Sequence, residues 1–230
     1  MTHLTYQQRR GQIETYFDRT AVQAWARLTS DAPVGRIRAT VRAGRDRMRT
    51  TLLSWLPADL RGMRVLDAGC GTGALAVEAA QRGADVLAID LSPTLVNLAR
   101  ERQPLDMAGG IDFRSGDMLD PALGNFDYVV CMDSLIHYSA SDAVKVIAGL
   151  AERTRIAILF TYAPSNPALA AMHAVGRLFP RGDRAPSIVP VAERSLHRLL
   201  DDELLGWQRG SSTRIASGFY TSQAQLLFQS

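Results

Sequence analysis

A short apolar run that ends in three alternating glycines, Val65-Leu-Asp-Ala-Gly-Cys-Gly-Thr-Gly73, constrains this chain more than any other feature. It predicts a buried strand delivered into a sharp turn at the start of a helix, where glycine permits backbone angles and close ligand approach that a Cβ forbids. From Met63 onward short apolar runs alternate with helical stretches, the pattern of βαβ units on a mostly parallel sheet. Strands are expected at 63–67, 85–89, 111–113, 126–132 and 155–161, with helices at 73–82, 92–103 and 141–152 between them. Beyond Tyr162 the spacing predicts helices across 167–178 and 190–204, and the alternation over 207–229 suits a closing antiparallel pair. The fold class is therefore α/β and Rossmann-like: a mostly parallel seven-stranded sheet with helices on both faces.

In front of that core the sequence reads as helical. Residues 5–30 carry Ile13, Phe17 and Trp25 among polar positions, and Asp31-Ala-Pro33 breaks the pattern. From Ile37 to about Trp55, the apolar positions Ile37, Val41, Met48 and Leu52 run beside a stripe of Arg38, Arg42, Arg45 and Arg49. The expected division is an N-terminal helical segment, 1–57, and a core domain, 58–230, carrying a helical insert at 163–206. The segment and the insert are expected to form a lid over the sheet edge.

Composition excludes whole classes. With 230 residues, 47% hydrophobic and 21% charged, the chain is globular, not disordered, collagenous or coiled-coil. Its apolar runs fall well short of the roughly 20 residues needed to cross a bilayer, and no apolar stretch follows Arg9-Arg10, so neither a span nor secretion is expected. Two cysteines, Cys70 and Cys131, build no disulfide framework and point to a reducing, cytoplasmic compartment. No His/Cys/Asp/Glu cluster has ligand spacing, so no protein-bound metal is expected. Of 25 arginines, ten lie in the first fifty residues against four acids. Such a surplus suits nucleic acid, anionic lipid or an acidic small molecule, and equally a solvated helix face.

What the glycine turn binds follows from its neighbours. Without a Gly-x-x-x-x-Gly-Lys-Ser/Thr sequence there is no lysine or hydroxyl to hold phosphates and Mg²⁺. Asp67, two residues before the first glycine, repels a pyrophosphate but suits a cation bearing an ammonium and a sulfonium. S-adenosylmethionine is such a ligand. Asp90 ends the second strand seventeen residues beyond Gly73, where its carboxylate can accept both ribose hydroxyls. Asp117, after the third strand, can accept from the adenine amino group while Met118 packs the ring. Taken singly, Asp90 and Asp117 also read as turn or capping acids. Together with the loop they give the class I methyltransferase pattern, with Asp67, Gly69, Cys70, Gly71, Gly73, Asp90, Leu91, Ser92, Asp117, Met118, Met132 and Arg42 as the expected cofactor contacts.

Ligands of such sheets sit outside the carboxyl ends of the strands, so the acceptor approaches from the same edge. The segment after strand four, Cys131-Met-Asp-Ser-Leu-Ile-His-Tyr138, then places Asp133, His137 and Tyr138 beside the transferred methyl, with His137 the leading reactive side chain and a structural histidine the alternative. Tyr16 reads equally as core packing or as a cofactor contact.

A family resemblance covers nearly the whole chain. Tyr16-Phe17, Trp25 and Arg27, Arg42-x-Gly44, the glycine loop, Val130-Cys-Met-Asp-Ser-Leu-Ile-His-Tyr138, Ala163-Pro164, Leu178-Phe-Pro180 and Phe219-Tyr-Thr-Ser222 resemble the magnesium-protoporphyrin IX O-methyltransferases of bacteriochlorophyll and chlorophyll synthesis. The resemblance implies S-adenosylmethionine-dependent methylation of one propionate carboxylate of Mg-protoporphyrin IX, giving the monomethyl ester, with magnesium arriving inside the substrate. It also implies handover from the porphyrin-binding subunit of Mg-chelatase. The greasy acceptor makes peripheral association with the photosynthetic membrane an expectation. Where the family pattern leads one to expect a tyrosine shortly after Trp25, this chain has Thr29, so the implied catalytic set is His137 with Tyr16, Thr29 or Tyr138.

Three other readings compete. A quinone-pathway phenol could be the acceptor; its pKa near 10 demands a true base, unlike a propionate ionised near 4.3. A non-catalytic cofactor-binding protein would keep the cofactor half alone. Nucleic acid is disfavoured, since no base-flipping loop follows strand four and the arginines lack interleaved aromatics.

Overall fold

The computed structural model describes residues 6–16, 29, 35–165 and 188–230. Phe17, Trp25, Arg27, the helix expected at 167–178 and Leu178-Phe-Pro180 lie outside the described residues. The elements run α1 (Tyr6–Thr15), α2 (Arg36–Ser54), β1 (Arg64–Ala68), α3 (Ala74–Gln81), β2 (Asp85–Asp90), α4 (Pro93–Glu101), β3 (Gly110–Ser115), β4 (Phe126–Cys131), α5 (Ala140–Ala151), β5 (Thr154–Tyr162), α6 (Glu193–Glu203), β6 (Trp207–Ser217) and β7 (Tyr220–Gln229).

The strands form one seven-stranded sheet in the order β3-β2-β1-β4-β5-β7-β6. Pairing is parallel from β3 through β5, and the closing β6–β7 hairpin adds antiparallel strands beside β5. Because successive side chains in a strand point to opposite faces, the apolar runs feed two cores. Leu66, Leu87, Val129 and Ile158 face α5 and α6, whereas Val65, Val86, Val130 and Leu159 face α2, α3 and α4.

Helix starts follow capping chemistry. Ser92 accepts the Leu95 N–H ahead of Pro93, and Ser139 accepts the Asp142 N–H. Gly73, expected inside a helix beginning at 73, instead stands before it in the left-handed conformation (φ 79°) and so fixes the start of α3 at Ala74.

Helix α2 departs from its expected burial. Met48, Leu52 and Leu53 are fully buried against the sheet, but Ile37 is 60% exposed. The C-terminal half of the helix is thus part of the core, while its N-terminal half overhangs the carboxyl ends of the strands. The main chain at β1 hydrogen-bonds to β2 on one side and β4 on the other, so the strand order reverses here, and α/β sheets open a ligand crevice at such a point.

Candidate active site

A cavity of about 640 Å³ opens at that reversal, within the size range of small-molecule sites. One wall is the glycine turn. Gly69 and Cys70 N–H groups both donate to the Ile89 carbonyl, at 2.8 and 3.0 Å, pinning the turn to the end of β2. Gly69 adopts φ +87°, and a Cβ there would stand 2.3 Å from the Ser134 Cβ. Its missing side chain therefore leaves room for the loop that follows β4.

Asp67 is buried at the end of β1 and faces this cavity. Burial, then the nearby Asp90 carboxylate, push it up to about 7, against a smaller opposing pull from the Ala76 N–H. Among the described residues its Oδ2 has no hydrogen-bond partner. A buried carboxylate oxygen with an open valence beside a second acid is a site for a cationic donor. Asp90 is also raised by burial, although it accepts the Gly71 N–H at 2.8 Å through Oδ2 and the Ser92 N–H at 2.9 Å through Oδ1. These bonds hold its carboxylate rigidly at the cavity wall. Burial pushes the Cys70 thiol well above its ordinary value, so it stays a neutral, polarisable contact.

Cys70, Gly71, Leu91, Met118 and Met132, all expected cofactor contacts, line the same space as Asp67, Gly69 and Asp90. Three expected cofactor contacts stand behind the wall. Gly73 packs where a Cβ would meet Phe113 at 2.8 Å, and Ser92 is fully buried beneath α4 as its cap. Asp117 pairs with Arg10 of α1 at 2.5 Å and accepts the Leu119 N–H at 3.0 Å, turning its carboxylate to the helix above it. Gly116 and Met118 on either side supply the lining instead.

The opposite wall is built from the β4–α5 loop and the N-terminal helices. Asp133, His137 and Tyr138 line it together with Tyr16, Thr29 and Arg42, so every side chain of the expected catalytic set reaches one cavity. His137 is buried. The Thr29 hydroxyl accepts from Arg102 at 3.1 Å, which ties this short side chain to the end of α4. The whole arginine stripe lines the cavity: Arg38, Arg42, Arg45, which pairs with Asp133 at 2.5 Å, and Arg49, which pairs with Glu78 and with Asp46.

Sequence reasoning missed Ile13, Val41, Thr72 and Ile188, which also line the cavity. Thr72 lies inside the glycine motif and was available from it. Ile13 and Ile188 reach the site only through tertiary packing of distant segments. Among the described residues, no group of three or more His, Cys, Asp or Glu side chains is arranged to hold a metal, and no helix is long and apolar enough to cross a membrane.

Comparison with known proteins adds the family. A general methyltransferase domain matches residues 65–155, and the magnesium-protoporphyrin IX methyltransferase C-terminus matches residues 131–228. Magnesium-protoporphyrin O-methyltransferase of Rhodobacter capsulatus is 51% identical over 95% of this chain and 96% of its own. A ubiquinone biosynthesis O-methyltransferase of Xanthomonas oryzae is 40% identical, but over only 54% of this chain and 55% of its own. The crystal structure of magnesium protoporphyrin IX methyltransferase from Synechocystis PCC 6803 with bound SAH superposes with a TM-score of 0.85 at 28% identity, covering 96% of this chain and all of that one. The likeness of both ends of the chain, beyond the cofactor-binding half, makes it a member of the magnesium-protoporphyrin O-methyltransferase family.

Proposed function

We propose that this cavity holds S-adenosylmethionine against β1 and β2 and a propionate of Mg-protoporphyrin IX against the β4–α5 loop. The chain is an S-adenosylmethionine-dependent O-methyltransferase of chlorophyll and bacteriochlorophyll synthesis, methylating Mg-protoporphyrin IX. The observation that carries the cofactor's placement is the open, buried Oδ2 of Asp67, which an ammonium would satisfy. S-adenosylmethionine supplies an electrophilic methyl group on a sulfonium. Asp67 then accepts the ammonium, the rigid Asp90 carboxylate accepts the ribose hydroxyls, and Leu91, Met118 and Met132 enclose the adenine and methyl ends.

A propionate is already ionised at neutral pH, so the protein has mainly to aim it. Fixing nucleophile and methyl in line supplies on the order of 7–11 kcal/mol, more than a general base contributes. His137 orients the reacting carboxylate or takes up a residual proton, with Tyr16, Thr29 and Tyr138 closing water out. Arg42 and Arg38 receive the methionyl carboxylate and the second propionate. Among the described residues, α1 and the overhanging N-terminal half of α2 act as a lid on the strand ends, while the C-terminal half of α2 belongs to the core. The exposed Ile37, flanked in sequence by Arg36 and Arg38, and the exposed Phe219 support peripheral contact with the photosynthetic membrane from the cytoplasmic side. The same edge suits receipt of the porphyrin from the Mg-chelatase porphyrin-binding subunit.

Incubation with methyl-labelled S-adenosylmethionine and Mg-protoporphyrin IX should yield labelled monomethyl ester. His137→Ala should lower kcat by on the order of 10²-fold while changing S-adenosylhomocysteine affinity little. Label appearing only on a phenolic quinone precursor would defeat the acceptor assignment.

A further inference from the structure

We propose that Asp133 is a positioning residue that sets the separation between the methyl-donor turn and the acceptor-bearing β4–α5 loop, an inference that rests on the methyl-transfer reading above. It is the one non-glycine residue with positive φ among the described residues, at 56°. A branched-at-Cγ acid held in that region is kept there by its surroundings. Its side chain is 5% exposed and receives donors from three separate elements. Arg45 of α2 donates to Oδ2 at 2.5 Å, and the Tyr220 hydroxyl of β7 lies 3.1 and 3.2 Å from the two oxygens. Ser222 of β7 donates to Oδ1 at 3.3 Å and Thr161 of β5 at 3.2 Å, while the Asp133 N–H donates to Thr161 Oγ1 at 2.7 Å. Burial, then the Asp133 carboxylate, push the Tyr220 phenol far up, so it stays a donor.

These bonds are made possible by close approach on both sides. A Cβ on Gly44 of α2 would stand 2.5 Å from the Tyr220 ring, so only glycine lets the helix descend far enough for Arg45 to reach in. On the other side Ser134, the next residue, fills the space left by Gly69 in the donor turn. Asp133 and Ser134, four and three residues before His137, thus touch the overhanging helix, the closing hairpin and the donor turn together. With four donors on its two oxygens, Asp133 is committed to them and acts through the loop it holds. An amide of the same size would lose the Arg45 ion pair and turn N–H groups toward hydroxyl donors. A shift of about 1 Å between reacting groups costs on the order of 10²-fold in rate.

The test uses the full chain with Asp133→Asn, and separately Tyr220→Phe. Asp133→Asn should lower kcat for Mg-protoporphyrin IX by on the order of 10²-fold, with the Kd for S-adenosylhomocysteine within threefold of wild type and amide exchange faster across 132–139 but not in β1 or β2. Tyr220→Phe should give a smaller fall, about tenfold, with the same split, and it decides the matter if Asp133→Asn does not fold. Wild-type kcat in a folded variant, or a kcat loss matched by an equal loss of S-adenosylhomocysteine affinity, overturns the proposal. Failure of the acceptor assignment looks different: wild type itself leaves Mg-protoporphyrin IX unmethylated, and the exchange difference between wild type and Asp133→Asn then supports or overturns the positioning role by itself.

Discussion

Asp67 presents a linkage that a titration can read. Its ordinary value of 3.8 is raised to about 7 by burial and by Asp90. A raised carboxyl holds its proton in the folded state, so its contribution to the stability of the cofactor-free protein is full below about 3.8 and is lost as pH rises through about 7. Binding an ammonium selects the ionised form. The Kd for S-adenosylhomocysteine should therefore rise about tenfold for each pH unit below 7 and level off above it. Asp67→Asn should weaken binding at pH 8 by roughly 10- to 10²-fold, the worth of a charge-assisted hydrogen bond, and flatten that slope. Calorimetry from pH 5.5 to 8.5 checks both, and an equal slope in the variant would move the titration to Asp90, the other raised carboxyl at the wall.

At the scale of elements, capping separates a residue that builds the site from one that touches the ligand. Ser92 accepts the Leu95 N–H at 3.3 Å and is fully buried beneath α4. Ser92→Ala should lower stability by about 1 kcal/mol, read as a fall in Tm, and leave cofactor affinity within threefold. A tenfold loss of affinity at unchanged Tm would instead mean a direct ligand contact. The same distinction explains how far the sequence was legible. Strands β1, β2, β4 and β5 are near-continuous apolar runs because both faces of a parallel sheet are covered, and the sequence pattern predicts them to within a residue at each end. For strand β3 the pattern predicts 111–113, but it spans Gly110–Ser115, since it pairs only with β2 and its polar Asp112, Arg114 and Ser115 break the apolar pattern. Asp67 and Asp90 were legible because they stand at strand ends that the glycine turn locates. The partners of Asp133 were not, because Tyr220 and Ser222 arrive through strand pairing 87 and 89 residues away, which no local spacing encodes.

At the scale of the whole molecule, one edge combines exposed apolar side chains with arginines. The overhanging half of α2 carries Arg36, Ile37 and Arg38 outward, and the β6–β7 turn meets it one helical turn later, where a Cβ on Gly218 would stand 2.3 Å from Thr40 Oγ1. Phe219, next in sequence to Gly218, is 67% exposed and Ile37, three residues before Thr40, is 60% exposed, and Arg38 of the same helix end also lines the cavity. Apolar side chains ringed by arginines are the composition that settles into an anionic headgroup layer, and a porphyrin partitioned there would meet the cavity without crossing bulk water. Burying an isoleucine and a phenylalanine contributes about 1.5–3 kcal/mol each, and each arginine near such a surface about 1 kcal/mol more. Wild-type protein should therefore co-sediment with anionic vesicles and weakly with neutral ones, with a steep loss as salt is raised. Ile37→Asp with Phe219→Asp should reduce that binding by 10²-fold or more while turnover on detergent-dispersed Mg-protoporphyrin IX stays within about twofold, because neither side chain lines the cavity. Equal pelleting of wild type and the double variant would remove this edge as a basis for membrane contact.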